Sequence, residues 1–102
     1  MTEDVWIGSQ RTDDAVERLR TLAARGLATE DLMEHLVSCL GRELSPLSFM
    51  AVLRRAFRIP LTVLRDAAEG WVGCGRVGCD TSTEVVAEAL NPYVEEFRAA
   101  GG

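Results

Sequence analysis

The sequence contains no lysine, few aromatic residues and no long apolar run. Its longest mainly apolar stretch, residues 47–53, is interrupted by Ser48, whereas a membrane-spanning helix needs about 20 apolar residues in succession. We therefore expect no membrane span. The absence of lysine also excludes a P-loop, because that phosphate-binding motif depends on a lysine that reaches the phosphates.

The chain also has little that indicates export. The first residues, Met1 to Asp4, include neither the basic segment nor the apolar segment of a secretory signal. Three cysteines, an odd number, fit a reducing compartment better than a disulfide scaffold, in which the thiols are normally paired. These features predict a cytoplasmic protein.

Positive charge is scarce as well. Sixteen acidic residues and eleven arginines give a formal net charge of -5, and this acidic excess argues against affinity for nucleic acid, which rests on basic residues that displace counterions. The middle of the chain is the exception, since residues 43–79 contain three acids and five arginines. An acidic surface steers a basic partner protein toward it, so the charge favours protein binding.

The length of 102 residues is enough for one hydrophobic core, which excludes a multi-domain enzyme. With 47% hydrophobic and 26% charged residues, the composition is that of an ordinary globular domain. We expect a flexible or extended segment over residues 1–11 and a single helical domain over residues 12–100.

Apolar residues recur at helical spacing, and no segment shows the sustained alternation that is typical of strands. The sequence therefore predicts an all-α fold, a compact bundle of five to six short helices. Thr12 or Asp13 is suited to cap the first helix, Gly26 to end it, and Thr29 to open the second.

The third helix has the strongest start signal in the chain. Ser45 can cap it, and Pro46 is favourable at the first helical position. This helix extends to about Phe57, and its wide apolar arc predicts a central place in the bundle. Because Pro60 disfavours helical geometry in the residue before it, a separate fourth helix is expected over residues 61–69.

Four glycines between residues 70 and 79 predict a surface loop over that stretch. Thr81 and Glu84 then form a capping-box pattern for a fifth helix. Pro92 leaves open whether residues 82–100 form one kinked helix or two. The expected inner face of this helix consists of Val85, Val86, Ala89 and Leu90.

The only histidine and the three cysteines suggest a metal site. His35 and Cys39 are one helical turn apart, and together with Cys74 and Cys79 they would complete a four-ligand zinc shell. Packing explains Cys39 equally well, because a buried free cysteine behaves as a small hydrophobe. Cys74 and Cys79 near Arg76 would also fit a redox pair, or incidental thiols in a flexible loop.

Partner binding is suggested by the arginines of the third helix. Arg54, Arg55 and Arg58 lie opposite its apolar arc, where their guanidinium groups can bind carboxylates or phosphates in fork geometry. The alternative is a solvated face, or one paired with the protein's own acids. Trp71 is a further candidate anchor, although an aromatic residue in a small domain more commonly fills the core.

No catalytic set accompanies these residues, since His35 has no identifiable group to orient it. We expect a non-enzymatic domain without a cofactor that recognises another protein as an immunity, antitoxin or regulatory partner. Its small, acidic, helical character is similar to that of nuclease-colicin immunity proteins, which implies a protein partner. The chain is not assigned to that family.

The alternative function is a zinc- or thiol-dependent regulatory domain. The segment from His35 to Cys39 resembles the start of the zinc-binding anti-sigma signature, which implies a zinc cofactor. Arg42 stands where that signature has its next cysteine. Elemental analysis of the purified protein separates the two hypotheses, because a structural zinc would be present at about one equivalent.

Overall fold

In a computed structural model of the chain, residues 10–73, 77–78 and 81–101 are described. All regular secondary structure in these ranges is helical, which confirms the predicted all-α fold. None of the described helices is both long enough and apolar enough to cross a lipid bilayer. The helices are α1 (Gln10–Ala24), α2 (Thr29–Leu40), α3 (Pro46–Phe57), α4 (Leu61–Val72) and α5 (Thr83–Ala99), with a short 3-10 turn at Gly41–Glu43 between α2 and α3.

Local signals determine the start of α3. The Ser45 hydroxyl accepts a hydrogen bond from the Ser48 N–H at 3.2 Å, and the Ser48 hydroxyl accepts one from the Ser45 N–H at 2.8 Å. Pro46 occupies the first helical position. This reciprocal capping satisfies donors that a helix start leaves open, and it confirms the predicted boundary.

Two predicted boundaries were wrong. α1 begins at Gln10, and Thr12 lies buried within it rather than capping it. α4 continues through Gly70 to Val72, so residues 70–72 are helical and not part of a loop. Trp71 and Val72 are buried in the core, and this burial outweighs the cost of about 1 kcal/mol for a glycine in a helix.

Glycine at position 70 allows Thr81 to approach the α4 backbone closely. Its carbonyl accepts a hydrogen bond from the Thr81 N–H at 2.7 Å, and a Cβ at this position would collide with the Thr81 side chain. Of the predicted surface loop, Gly73 and the turn at residues 77–78 are exposed. Residues 74–76 and 79 lie outside the described part of the chain.

α5 begins one residue later than the capping box predicts. Ser82 is the N-cap, and its hydroxyl accepts a hydrogen bond from the Val85 N–H. The prediction of the inner face was correspondingly wrong at two positions, since Val85 and Ala89 are exposed. The buried residues of α5 are Val86, Ala87, Leu90 and Val94.

Pro92 lies inside α5 without dividing it, so residues 83–99 form one helix. Proline lacks the N–H that would bind the Glu88 carbonyl. Both Pro92 and Glu88 are exposed, and water can therefore satisfy the carbonyl that loses its donor.

The helices pack around one continuous apolar core. α1 lies between α2 and α3, and α4 packs against α3. α5 contacts all four other helices, so the central position predicted for α3 is shared with α1 and α5. A hydrogen bond of 2.7 Å from the Thr29 hydroxyl to the Asn91 side chain joins α2 to α5.

Candidate functional site

A groove opens where the carboxyl-terminal ends of α3 and α5 meet the middle of α1. Its volume is about 400 Å³. Three of its residues are arginines and three are aromatic, and we call it the arginine groove. It is lined by Arg20, Arg55, Ala56, Phe57, Arg58, Tyr93, Glu96, Phe97 and Ala100.

Aromatic rings form the floor of the arginine groove. The rings of Phe57 and Phe97 pack edge to face, with centroids 5.2 Å apart and an interplanar angle of 77°. Phe57 is buried, whereas Tyr93 and Phe97 are half-buried and remain partly accessible. The floor is therefore anchored in the core and still offers aromatic surface to a ligand.

Arg20 projects from α1 over this floor. Its guanidinium carbon lies 5.6 Å from the centroid of the Phe97 ring, a cation–π arrangement worth about 0.5–1 kcal/mol at an exposed site. The guanidinium N–H groups make no hydrogen bond to any described residue. Arg20 is thus held in place with its donors available.

Arg55 is oriented by an acid of α1. Its Nη2 donates a hydrogen bond to Asp13 Oδ1 at 3.0 Å, and the two side chains are 43% and 53% exposed. An ion pair this exposed contributes at most about 1 kcal/mol to stability. Its main consequence is positional, because it fixes one edge of the guanidinium and leaves the other edge open.

Arg58 ends α3 in a left-handed conformation, with φ 57° and ψ 35°. It is the only described residue other than glycine with a positive φ, and helix ends of this kind favour glycine or asparagine. Its side chain is exposed and makes no hydrogen bond or ion pair with the described residues. The backbone here is strained, and the side chain has no structural role among these residues.

Of the three arginines predicted as one binding face, two line the groove and one does not. Arg55 and Arg58 line the groove, but Arg54 Nη1 donates to the Ile59 carbonyl at 3.1 Å and supports the connection between α3 and α4. Arg20 takes the third place in the groove, and sequence reasoning missed it. Helical periodicity places Arg20 on the exposed side of α1 but does not specify how α1 crosses α3.

Trp71, the predicted anchor, belongs to the core. Its side chain is fully buried, its ring centroid lies 5.3 Å from that of Phe49, and its Nε1–H donates to the Thr83 hydroxyl at 3.0 Å. The structure therefore gives Trp71 the core-filling role that was the alternative interpretation of this aromatic residue.

The predicted zinc ligands are only partly described. His35 and Cys39 both lie half-buried on α2, one turn apart, and Cys39 packs against the apolar core. Cys74 and Cys79 lie outside the described residues. Within the described ranges, no three histidine, cysteine or acidic side chains are grouped to hold a metal ion. The four-ligand site stays a prediction.

The surface beyond the arginine groove is less positive than the groove itself. A more open depression continues from it along α1, where Asp13, Asp14 and Glu17 balance Arg25 and the shared Arg20 and Arg55. A separate depression between α2 and α5 is lined by Glu30, Glu84 and Glu88. The arginine groove is thus a local region of positive charge on an acidic protein.

No protein-family model matches this chain, and no match was found among curated proteins or solved structures.

Proposed function

We propose that this chain is a non-enzymatic domain that binds another protein, and that the arginine groove is the surface it uses. One observation carries the proposal, namely the arrangement of Arg20, Arg55 and Arg58 around a partly accessible aromatic floor. Arginine and aromatic residues are enriched among the residues that dominate protein interfaces.

The contacts that Arg20 and Arg55 make within the protein support this proposal. Arg20 is stacked on Phe97, and Arg55 is hydrogen-bonded to Asp13. Ordering a flexible side chain at an interface costs about 0.5–1.5 kcal/mol. Each contact contributes at most about 1 kcal/mol, so together they favour the groove-lining positions of two of the three arginines and offset part of this cost.

The net charge of -5 favours a protein partner over nucleic acid, since a phosphate backbone would be repelled by most of the surface. An immunity, antitoxin or regulatory role requires a surface that covers part of a partner, without any chemical step. The odd number of cysteines supports a cytoplasmic place of action.

The proposal predicts that the variant R20Q/R58Q loses its partner. Glutamine keeps most of each side-chain stem but removes the charge, and a hydrogen bond to a charged group contributes about 1.5–3 kcal/mol. We expect the Kd to rise by about a factor of ten or more for each arginine that contacts the partner. The partner is first captured from native cells, then purified and titrated calorimetrically against each variant.

The matched control is R18Q/R65Q, which changes the net charge equally at two exposed arginines outside the groove. This control should bind as tightly as the wild type. Failure to reconstitute a stoichiometric complex from purified components contradicts the proposed function. The variant E84Q/E88Q tests the acidic depression between α2 and α5. If R20Q/R58Q binds the partner normally while E84Q/E88Q does not, the domain binds a protein but the arginine groove is not the surface it uses.

A further inference from the structure

We infer that the arginine groove accepts a short acidic segment of the partner, with its carboxylates on Arg20 and Arg58 and an apolar side chain on the aromatic floor. This inference rests on the proposed function and adds the chemistry of the bound segment. It commits to the carboxylates of a protein chain.

Charge complementarity is the first reason. Of the three arginines that line the groove, Arg55 is paired with Asp13, so Arg20 and Arg58 supply its free positive charge beside one lining acid, Glu96, whereas the whole chain carries a net charge of -5. The net negative charge of the protein attracts a basic segment, but the guanidinium groups of the groove would repel it there. An acidic segment is attracted by the arginines of the groove and repelled by the rest of the surface, so the groove selects for carboxylates.

Hydrogen-bonding capacity is the second reason. A guanidinium binds a carboxylate through two parallel N–H groups, and neither Arg20 nor Arg58 uses its side-chain donors on any described residue. The left-handed backbone at Arg58 directs this arginine from the end of α3, at a position where glycine would relieve the strain.

The neighbouring acids limit the length of the acidic segment. In the depression that continues from the groove along α1, Asp13, Asp14 and Glu17 balance Arg25 and the shared Arg20 and Arg55. A long acidic stretch that passed from the groove into this depression would meet no net positive charge there. The bound segment therefore has a short acidic stretch, followed by neutral or basic residues where it lies along α1. A nucleic-acid strand, whose phosphates recur at every nucleotide, fits this pattern less well than a short acidic peptide.

A synthetic peptide tests the inference directly. In the probe, glutamates flank a leucine–phenylalanine pair and are followed by two arginines, and a second peptide has glutamine in place of each glutamate. Each peptide is titrated into the isotope-labelled full chain while the arginine Nε–Hε signals are recorded by NMR. We expect the acidic peptide to shift the signals of Arg20 and Arg58, and its affinity to fall with added salt. The glutamine peptide should leave both signals in place.

The variant R58N separates binding from folding. Asparagine tolerates the left-handed conformation, so the thermal midpoint should not fall, whereas loss of the guanidinium should weaken binding of the acidic peptide about tenfold. The control R65N changes the charge equally at an exposed arginine of α4 and should bind the peptide as the wild type does.

Four results would overturn the inference: no shift at either arginine, equal binding of the glutamine peptide, unchanged binding by R58N, or displacement of the acidic peptide by an oligothymidylate. Self-association that protects the groove in sedimentation and NMR experiments would also overturn it, because the occupant would then be a second copy. If the acidic peptide fails while the captured partner still binds the wild type, the inference falls and the proposed function stands.

Discussion

Replacing Trp71 with alanine is expected to lower the free energy of unfolding by about 3–5 kcal/mol. Trp71 is the largest of the fully buried side chains and packs against Phe49 in the centre of the core. The substitution leaves a cavity and removes the donor of the hydrogen bond to Thr83. A domain of this size has a total stability of about 5–15 kcal/mol, so this loss is a large fraction of it.

Urea unfolding followed by circular dichroism measures the effect, because helix loss does not depend on the tryptophan that is removed. The variant W71F is the control, since it keeps an aromatic ring in the core, loses the N–H and part of the indole volume, and should be less destabilised than W71A. If W71A is as stable as the wild type but no longer binds the partner, Trp71 is a surface anchor, and its assignment to the core is wrong.

Replacing Arg98 with alanine is expected to lower the free energy of unfolding by about 2–3 kcal/mol. Arg98 lies near the end of α5, and its Nε donates to the Ala23 carbonyl at 2.8 Å at the end of α1. Its Nη2 donates to the Leu27 carbonyl, and its Nη1 to Glu95. The side chain is 21% exposed, so these carbonyls are shielded from replacement donors.

Urea unfolding compares R98A with R98K and R65A. Lysine keeps the charge but lacks the fork that binds two carbonyls at once, so R98K should recover only part of the loss. Arg65 is exposed on α4 and has no partner among the described residues, so R65A should change the stability by less than about 0.5 kcal/mol. Equal stabilities for R98A and R65A would contradict the role of Arg98 in joining α5 to α1.

The arginines of this lysine-free chain serve two purposes. Arg11, Arg54 and Arg98 donate to backbone carbonyls at or beyond the ends of helices, where helices leave acceptors without partners. Arg20 and Arg58 direct their donors to solvent instead. A count of arginines in the sequence cannot separate these groups, because the receiving carbonyls are mostly distant along the chain.

Predictions from the sequence were accurate where neighbouring residues determine the structure. Ser45 and Pro46 predicted the start of α3, since capping depends on contacts within a few residues. Burial of Trp71 extended α4 past its predicted end. The buried face of α5 was predicted wrongly because contacts with four other helices orient it, and periodicity cannot resolve a rotation of one residue.

The arginine groove depends on long-range structure in the same way. Arg55 and Arg58 were predicted as a binding face because they share a helix, but the left-handed turn at Arg58 and the bond from Arg54 to Ile59 redirect this group. Arg20 joins it only through the crossing of α1 and α3. The residue types of the site could be predicted from the sequence, and their grouping could not.

The most direct test of the groove as the binding surface is hydrogen exchange of the free domain and of its complex with the captured partner. Binding through the arginine groove predicts slower exchange at the end of α3, around Arg58, and in the second half of α5, around Tyr93 and Phe97. The exposed faces of α2 and α4 should exchange at unchanged rates. Slower exchange in α2 or α4, with unchanged exchange at the ends of α3 and α5, would contradict binding through the arginine groove.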